Sequence, residues 1–86
     1  MPKVSEFYGI AIYLYFNDHA PPHFHARYQG DNAEFEIATL AMLDGRVPPR
    51  VRAMVLEWAS NHRDELLRGW NQCRDGKGPD RIAPLE

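Results

Sequence analysis

Three histidines, an aspartate and an arginine fall close together in the segment NDHAPPHFHARY, residues 17–28. Imidazole and carboxylate groups exchange protons near neutral pH, and both groups also bind divalent metal ions. The guanidinium group of an arginine holds phosphate or carboxylate groups through its fork of N–H donors. The segment therefore suggests proton-transfer chemistry on an anionic substrate or a metal site. The remaining interpretation is a polar turn with neither role.

The spacing of the histidines is compatible with metal binding. His23 and His25 lie on one face if the segment is a strand, since successive side chains alternate between faces. His19 lies in the adjoining turn, with Asp18 next to it. We take His19, His23 and His25 as candidate ligands of a divalent transition metal. This metal is an alternative, because our first expectation is a site without a cofactor.

The elements that position these groups are predicted to be strands. Residues 9–16 alternate between the two faces, residues 23–28 resume the alternation after NDHAPP, and AEFEIA continues it after QGDN. A period of two predicts an antiparallel meander of three strands, with a short fourth strand around residues 40–43 before a turn at Asp44 and Gly45. The side chains expected to face the core are Ile10, Ile12, Leu14, Phe16, Phe24, Ala26, Tyr28, Ala33, Phe35 and Ile37.

The periodicity changes to that of a helix from Arg50 to about Arg74, where apolar residues recur every three or four positions. Pro49 suits the first turn of this helix, and Gly76 marks its end. We predict an α+β domain with one long helix packed on one face of the sheet. Its parts are a β-meander at residues 1–45, the helix region at 46–76, and an extended tail at 77–86 attached through Ile82 and Leu85. A straight helix of this length measures about 37 Å, so one end is expected to overhang the sheet and to find a partner.

The open face of the sheet is the second candidate site. We expect the hairpin between the second and third strands to place His25 opposite Glu36 and Arg27 opposite Glu34. Directly opposed side chains have Cβ atoms about 4.5–5.5 Å apart. An imidazole and a carboxylate at this separation can act as acid and base on a phosphodiester while the arginine holds the phosphate. The candidate catalytic residues of this metal-free site are His25, Glu36, Arg27, His23 and Tyr15. The alternative is that a solvated sheet face carries ordinary polar cross-strand pairs.

Composition limits the remaining possibilities. A chain of 86 residues forms one domain, and its net charge of −2 argues against broad adhesion to nucleic acid or anionic lipid. The single cysteine, Cys73, excludes an internal disulfide framework. No apolar run is long enough to cross a bilayer, and the first residues lack the pattern of a signal peptide. These features predict a cytoplasmic protein with no membrane partner.

The runs FYGIAIYLYFNDHAPPHFHARY, LDGRVPPR, EWASNHRDELLRGW and IAPLE together resemble a family of small bacterial domains of unknown function. The most specific feature of that family is the run Asn/Lys-Asp-His-x-Pro-Pro-His-Phe-His, which residues 17–25 match. Genes of the family often stand beside a gene for a small domain similar to a DNA-binding antitoxin. The resemblance therefore implies the toxin half of a toxin–antitoxin pair, although it assigns no catalytic residue.

We accordingly expect a toxin-like protein that binds a small antitoxin protein, with activity on RNA as a further expectation for the open face. Two other classes remain: a metal-binding module that uses the His-x3-His-x-His run, and a non-catalytic interaction domain. Whether the chain is an enzyme, and whether it forms a homodimer, stay open at this point.

Overall fold

Five antiparallel strands and two helices form the fold in the computed structural model, which describes residues 2–86. The strands lie side by side in chain order, as β1 (Lys3–Phe7), β2 (Ile10–Tyr13), β3 (His23–Tyr28), β4 (Asp31–Glu36) and β5 (Met42–Gly45). Helices α1 (Pro49–Ser60) and α2 (Arg63–Arg74) follow the sheet. The α+β class and the antiparallel meander are confirmed. The sheet has more strands than predicted, and two helices replace the single one.

The core forms where the sheet packs against Trp58 of α1. The Trp58 ring lies 5.4 Å from the Phe7 ring and 6.2 Å from the Phe24 ring, between centroids. Most of the predicted inward side chains are buried there, namely Ile10, Ile12, Leu14, Phe24, Ala26, Ala33, Phe35 and Ile37. Phe16 was predicted to join them and does not, since 46% of it is exposed. Strand β2 ends at Tyr13, so the alternation no longer applies at position 16.

Strand β1 was not predicted from the sequence. Its pairing with β2 shifts register between Lys3 and Ser5, and such a bulge interrupts the period of two. Tyr8 and Gly9 then form the turn into β2, with φ angles of 51° and 77°. Positive φ at both central residues is typical of tight hairpin turns. Gly9 therefore belongs to a turn and does not begin the next strand.

Strand β5 also differs from its prediction. Residues Asp44 and Gly45 were predicted to form a turn, but they lie inside the strand. The chain reverses before it, where the Leu40 N–H donates to the carbonyl oxygen of Glu36 and Leu40 has a φ of 62°.

The predicted long helix is interrupted at Asn61 and His62, which separate α1 from α2. The Ser60 hydroxyl and the Asn61 side-chain amide both donate to the carbonyl oxygen of Glu57, at 2.8 and 3.2 Å. Such local bonds compete with the backbone bonds that would continue a helix. The prediction of an overhanging helix end is therefore wrong. The longest dimension of the molecule is 33 Å, shorter than the predicted single helix of about 37 Å. The predicted positions of Pro49 at the start and Gly76 at the end are confirmed.

The hairpin between β3 and β4 has a different register from the predicted one. Tyr28 pairs with Asp31 across a two-residue turn at Gln29 and Gly30. His25 consequently stands opposite Glu34, not Glu36, and the predicted pair of Arg27 with Glu34 is also wrong. The partners observed are His23 with Glu36, His25 with Glu34 and Arg27 with Asn32. Both registers keep the same side chains on each face, because they differ by an even number of residues.

The C-terminal segment crosses β1 and the first helix. The Ile82 N–H donates to the carbonyl oxygen of Val4 at 2.7 Å, and the Trp58 indole N–H donates to that of Ala83 at 2.8 Å. Ile82 is buried and Leu85 is partly buried against the core. These contacts attach residues 82–85 to the domain.

Candidate functional site

The site is built where the connection between β2 and β3 meets the first residues of β3. The adjoining Ala20–Pro21 peptide bond is cis. Asp18 lies in this connection, and its Oδ1 accepts a hydrogen bond from the backbone N–H of His19 at 2.9 Å. His23 and His25 follow on β3 with their side chains on the sheet face opposite Phe24. The carboxylate of Asp18 thus reaches both imidazoles.

The three side chains form one compact cluster. One ligand atom from each of Asp18, His23 and His25 lies within 4.8 Å of the others. Asp18 Oδ2 is 2.9 Å from His25 Nε2 and 3.0 Å from His23 Nε2. The His25 N–H donates a hydrogen bond across the first of these contacts. Two imidazoles and one carboxylate therefore converge on a single region of space.

His23 is the unusual member of the cluster because its ring is buried, with 1% of the residue exposed. Its Nδ1 lies 2.7 Å from the carbonyl oxygen of Pro21, which can only accept, so Nδ1 carries the donated proton. Its Nε2 faces Asp18 Oδ2, but the orientation does not satisfy hydrogen-bond geometry and Nε2 has no such partner. An unprotonated Nε2 at 3.0 Å from a carboxylate oxygen is repelled by it unless a metal cation binds both atoms.

The ring of Trp70, on α2, explains why His23 is sealed from solvent. The two rings lie 5.2 Å apart between centroids, and Trp70 is itself buried. His25, two residues along the strand, keeps 19% of its side chain exposed. The cluster therefore has one anchored imidazole and one that reaches solvent.

The pKa of the Asp18 carboxyl lies below its ordinary value. Desolvation, the largest single influence, raises this pKa. The hydrogen bonds from the His25 ring and the His19 backbone, with the neighbouring imidazole charges, lower it by more in total. Asp18 is consequently held as a carboxylate, the form that binds metal ions.

Aromatic rings border the cluster on the β2 side. Tyr15 meets the His25 ring edge-on at 4.4 Å, and its own plane is within 2° of that of Tyr13, 6.0 Å away. The Arg27 guanidinium lies 5.7 Å from the centre of the Tyr13 ring. Burial raises the pKa of the Tyr15 phenol, so the hydroxyl keeps its proton.

A cavity of about 330 Å³ lies beside His25 and extends to Asp44 and Gly45 of β5. Tyr15 and His25 form one wall, and Glu34 and Asp44 contribute carboxylates. Those two acidic residues stand directly opposite each other in the pairing of β4 with β5. The cavity and the cluster therefore share His25.

The predicted site residues are only partly brought together. His23, His25 and Tyr15 are in mutual contact through the His25 ring, and Arg27 lies on the same face two residues further along. Glu36 instead accepts a hydrogen bond from the Thr39 hydroxyl at 3.1 Å and stands opposite His23. The His19 side chain is 80% exposed and is not a member of the close cluster.

Two residues of the site were not assigned a role in the sequence. Asp18 was noted only as a neighbour of His19, and Glu34 was paired with Arg27. Asp18 reaches the cluster because of the path that the connection between β2 and β3 takes. That connection contains two prolines and is irregular, so no side-chain periodicity predicts its path. Glu34 could have been found from the sequence only with the correct hairpin register, which depends on the turn at Gln29 and Gly30.

Two imidazoles and one carboxylate are a known ligand set for Zn²⁺ and for iron in enzymes. Three protein ligands leave at least one coordination position for water or substrate. A metal in such a position lowers the pKa of its bound water and produces a nucleophile near neutral pH. The cluster is therefore suited to hydrolytic or redox metal chemistry more than to a closed structural site.

Comparison with known proteins gives a family match. The family model described as Domain of unknown function (DUF4160) matches residues 9–71, well over half of the chain. The matched range contains Asp18, His23 and His25. No curated protein and no solved structure matches the chain. Within residues 2–86, no helix combines the length and the apolar character that a membrane crossing requires.

Proposed function

We propose that this chain, which belongs to the family described as Domain of unknown function (DUF4160), is a metal-binding module that holds a divalent transition metal. The ligands are Asp18 Oδ2, His23 Nε2 and His25 Nε2. This set keeps two of the three histidines expected from the sequence and replaces His19 by Asp18. The family description states no activity, so the proposal depends on the chemistry of the site.

The buried, unpartnered Nε2 of His23 is the observation that supports this function most strongly. Metal-binding histidines commonly donate their other ring N–H to a backbone carbonyl, which fixes the tautomer and the ring orientation. His23 makes this bond to Pro21. Its Nε2 then lies 3.0 Å from Asp18 Oδ2 without a hydrogen bond, and a cation bound to both atoms would remove the repulsion.

The two distances from Asp18 Oδ2 to the imidazoles fit a metal after a small expansion. Ligand atoms at about 2.0–2.2 Å from a tetrahedral metal are about 3.4 Å from each other. The two contacts of Asp18 Oδ2 with the imidazoles measure 2.9 and 3.0 Å. An increase of a few tenths of an ångström in these two distances would accommodate the ion. Asp18 can supply this movement because it lies in a connection outside the strands. The His25 ring would give up its proton to become a ligand.

Calorimetric titration of the full chain, freed of metal by a chelator, tests the proposal with zinc, nickel and manganese. We expect one ion per chain at micromolar or tighter affinity for at least one metal. Asp18→Asn and His25→Gln should each weaken metal binding at least about 100-fold. Even the loss of a residue that only hydrogen-bonds to a metal ligand weakens metal affinity 10- to 100-fold.

Two histidine variants serve as controls. His19→Gln should bind nearly as well as the wild type, which distinguishes the observed cluster from the triad expected from the sequence. His62→Gln removes an imidazole that instead contacts Glu65 and Trp58, away from the cluster. Absence of heat with all three metals, or unchanged binding by Asp18→Asn, would contradict the proposal and leave a protonated His23 as the explanation of the contact.

The Tyr13, Tyr15 and Arg27 surface supports a second candidate function, that of a toxin-like protein acting on RNA and binding a small antitoxin. Parallel aromatic rings can stack on bases, and a guanidinium beside them can hold a phosphate. His25 adjoins this surface through Tyr15. Glu34, in place of Glu36, is its carboxylate partner across the hairpin.

Expression in a bacterial host tests this second function. Growth arrest and loss of cellular RNA are expected on induction, with rescue by the product of the adjacent gene. Arg27→Gln and His25→Ala should relieve the arrest, whereas Arg74→Gln, at the exposed last residue of α2, should not. Unimpaired growth with intact RNA would exclude toxicity, and arrest that persists in both site variants would separate toxicity from this face.

A further inference from the structure

We propose that Glu34 is a positioning residue of the metal site. Its carboxylate accepts a hydrogen bond from a water molecule on the metal that Asp18, His23 and His25 hold. This role rests on the proposed function, because it needs the metal. It adds to that function the residue that orients the water and that repels an anion from the same position.

Glu34 is an acidic side chain that adjoins the three ligands without being one of them. It lies on β4 directly opposite His25, and its Oε1 is 3.6 Å from His23 Nε2. It is nevertheless outside the group whose ligand atoms all lie within 4.8 Å of one another. A carboxylate oxygen that accepts a hydrogen bond from metal-bound water lies about 4 Å from the metal. The position of Glu34 therefore fits contact through a water better than direct binding.

Glu34 also lies on the solvent side of the cluster. Trp70 covers the His23 ring, which is buried. His25 and Glu34 both line the cavity, and their side chains are 19% and 29% exposed. Three protein ligands leave a coordination position for water, and water reaches the cluster from this exposed side. A water on the metal therefore lies within reach of the Glu34 carboxylate.

The carboxylate of Glu34 is available for this hydrogen bond. Within residues 2–86, no lysine or arginine lies within ion-pair distance of it. Glu36, on the same face of the same strand, instead accepts a hydrogen bond from the Thr39 hydroxyl. A carboxylate only accepts hydrogen bonds, and a metal makes its bound water a stronger donor. The two groups are complementary, and the bond between them fixes the orientation of the water.

Azide titration of the full chain loaded with cobalt tests this role. Azide competes with water for the open position of a metal, and the visible absorption of Co²⁺ reports its binding. Glu34→Gln should bind azide at least about tenfold more tightly than the wild type, because a neighbouring negative charge no longer opposes the anion. Affinity for Co²⁺ itself, measured by calorimetry, should fall by less than about tenfold, since only a partner of the water is lost.

Asp44→Asn is the matched control. It removes an equal charge from the same cavity, directly opposite Glu34 and one strand farther from the ligands on β3. Its azide affinity should differ from that of the wild type by less than about threefold, because solvent screens the more distant charge. Asp18→Asn provides the reference for the loss of a ligand, and circular dichroism establishes that each variant is folded.

The outcomes separate this role from the metal site. A wild-type chain that binds no cobalt would contradict the metal site and the role of Glu34 with it. Cobalt binding with unchanged azide affinity in Glu34→Gln would overturn the role and leave the metal site in place. A loss of cobalt affinity as large as that of Asp18→Asn would also overturn it, because Glu34 would then be a ligand. An equal gain of azide affinity in Asp44→Asn would overturn it by assigning the effect to general charge.

Discussion

His23 and His25 are equivalent in the sequence, yet their surroundings give them different roles. Both lie on the same face of β3, but Trp70 covers only the first. The Pro21 carbonyl fixes the His23 ring, whereas His25 reaches solvent and borders the cavity. In the proposed site His23 would therefore anchor the metal, and His25 is the ligand that reaches solvent.

Gly45 is the residue whose backbone most clearly requires glycine. Its φ is 78°, and a Cβ atom there would lie 2.1 Å from the carbonyl oxygen of Asn32. Gly45→Ala should lower the free energy of unfolding by about 2 kcal/mol or more, since the left-handed conformation alone costs roughly 1–2 kcal/mol. Urea denaturation followed by circular dichroism measures this change.

The control for that substitution is Gly30→Ala, because a Cβ at position 30 would meet nothing within 4 Å. The control should remain within about 0.5 kcal/mol of the wild type. Equal stability of the two variants would show that β5 can shift away from Asn32.

Cys73 should be chemically silent in the folded protein. The residue is 1% exposed, and burial raises the pKa of its thiol. Because the thiolate is the reactive form, both effects slow modification. We expect an aromatic disulfide reagent at pH 8 to react at least about 100-fold faster in denaturant than in buffer. Rapid reaction of the native protein would indicate that α2 opens readily.

At the scale of elements, the sequence predicts the faces of the sheet better than its pairing. Phe24, Ala26 and Phe35 are buried as expected, because alternation depends only on the strand period. The partners depend on which two residues form the turn. Gln29, with a φ of 54°, occupies a turn position that a non-glycine residue seldom adopts, so the sequence pointed to other turns.

The helices show a related limit of prediction from periodicity. The apolar spacing of Trp58, His62 and Leu66 continues across the break between α1 and α2, so periodicity alone predicts one helix. What ends α1 is a local competition, in which Ser60 and Asn61 bond to the carbonyl oxygen of Glu57. For the candidate site, the residue types of segment 17–28 indicated where to look. The position of Asp18 could not be predicted, because it depends on the path of the connection before β3.

The C-terminal segment is predicted to stabilise the domain through Ile82. This side chain is 5% exposed, and its backbone N–H bonds to Val4 at the edge of the sheet. Ile82→Ala should cost about 2 kcal/mol, the lower end for a buried isoleucine, because the site is at the rim of the core. Chemical denaturation measures the loss.

Arg81→Ala, at the exposed neighbouring position, is the control and should change stability by less than about 0.5 kcal/mol. If Ile82→Ala were equally neutral, the backbone bond to Val4 and the Trp58 bond to Ala83 would be sufficient to attach the segment.

At the scale of the whole molecule, one small core supports the entire structure. A domain of 86 residues is only marginally stable, so any ligand that binds the folded chain alone has a large relative effect. The proposed ligands lie on β3, in the middle of the sheet, and in the connection that leads to it. Their mutual geometry exists only when that connection is folded against the strand.

Metal binding should therefore raise the thermal stability of the whole domain. At 100 times the dissociation constant a ligand adds about 2.7 kcal/mol, and for a domain of this size each kcal/mol corresponds to about 4–8 °C in Tm. The preferred metal should raise Tm by roughly 10–20 °C in differential scanning calorimetry, and excess chelator should reverse the change. Asp18→Asn should abolish the shift while His19→Gln keeps it, because only the former removes a ligand of the observed cluster. A shift of equal size in both variants would place the ion elsewhere on the chain.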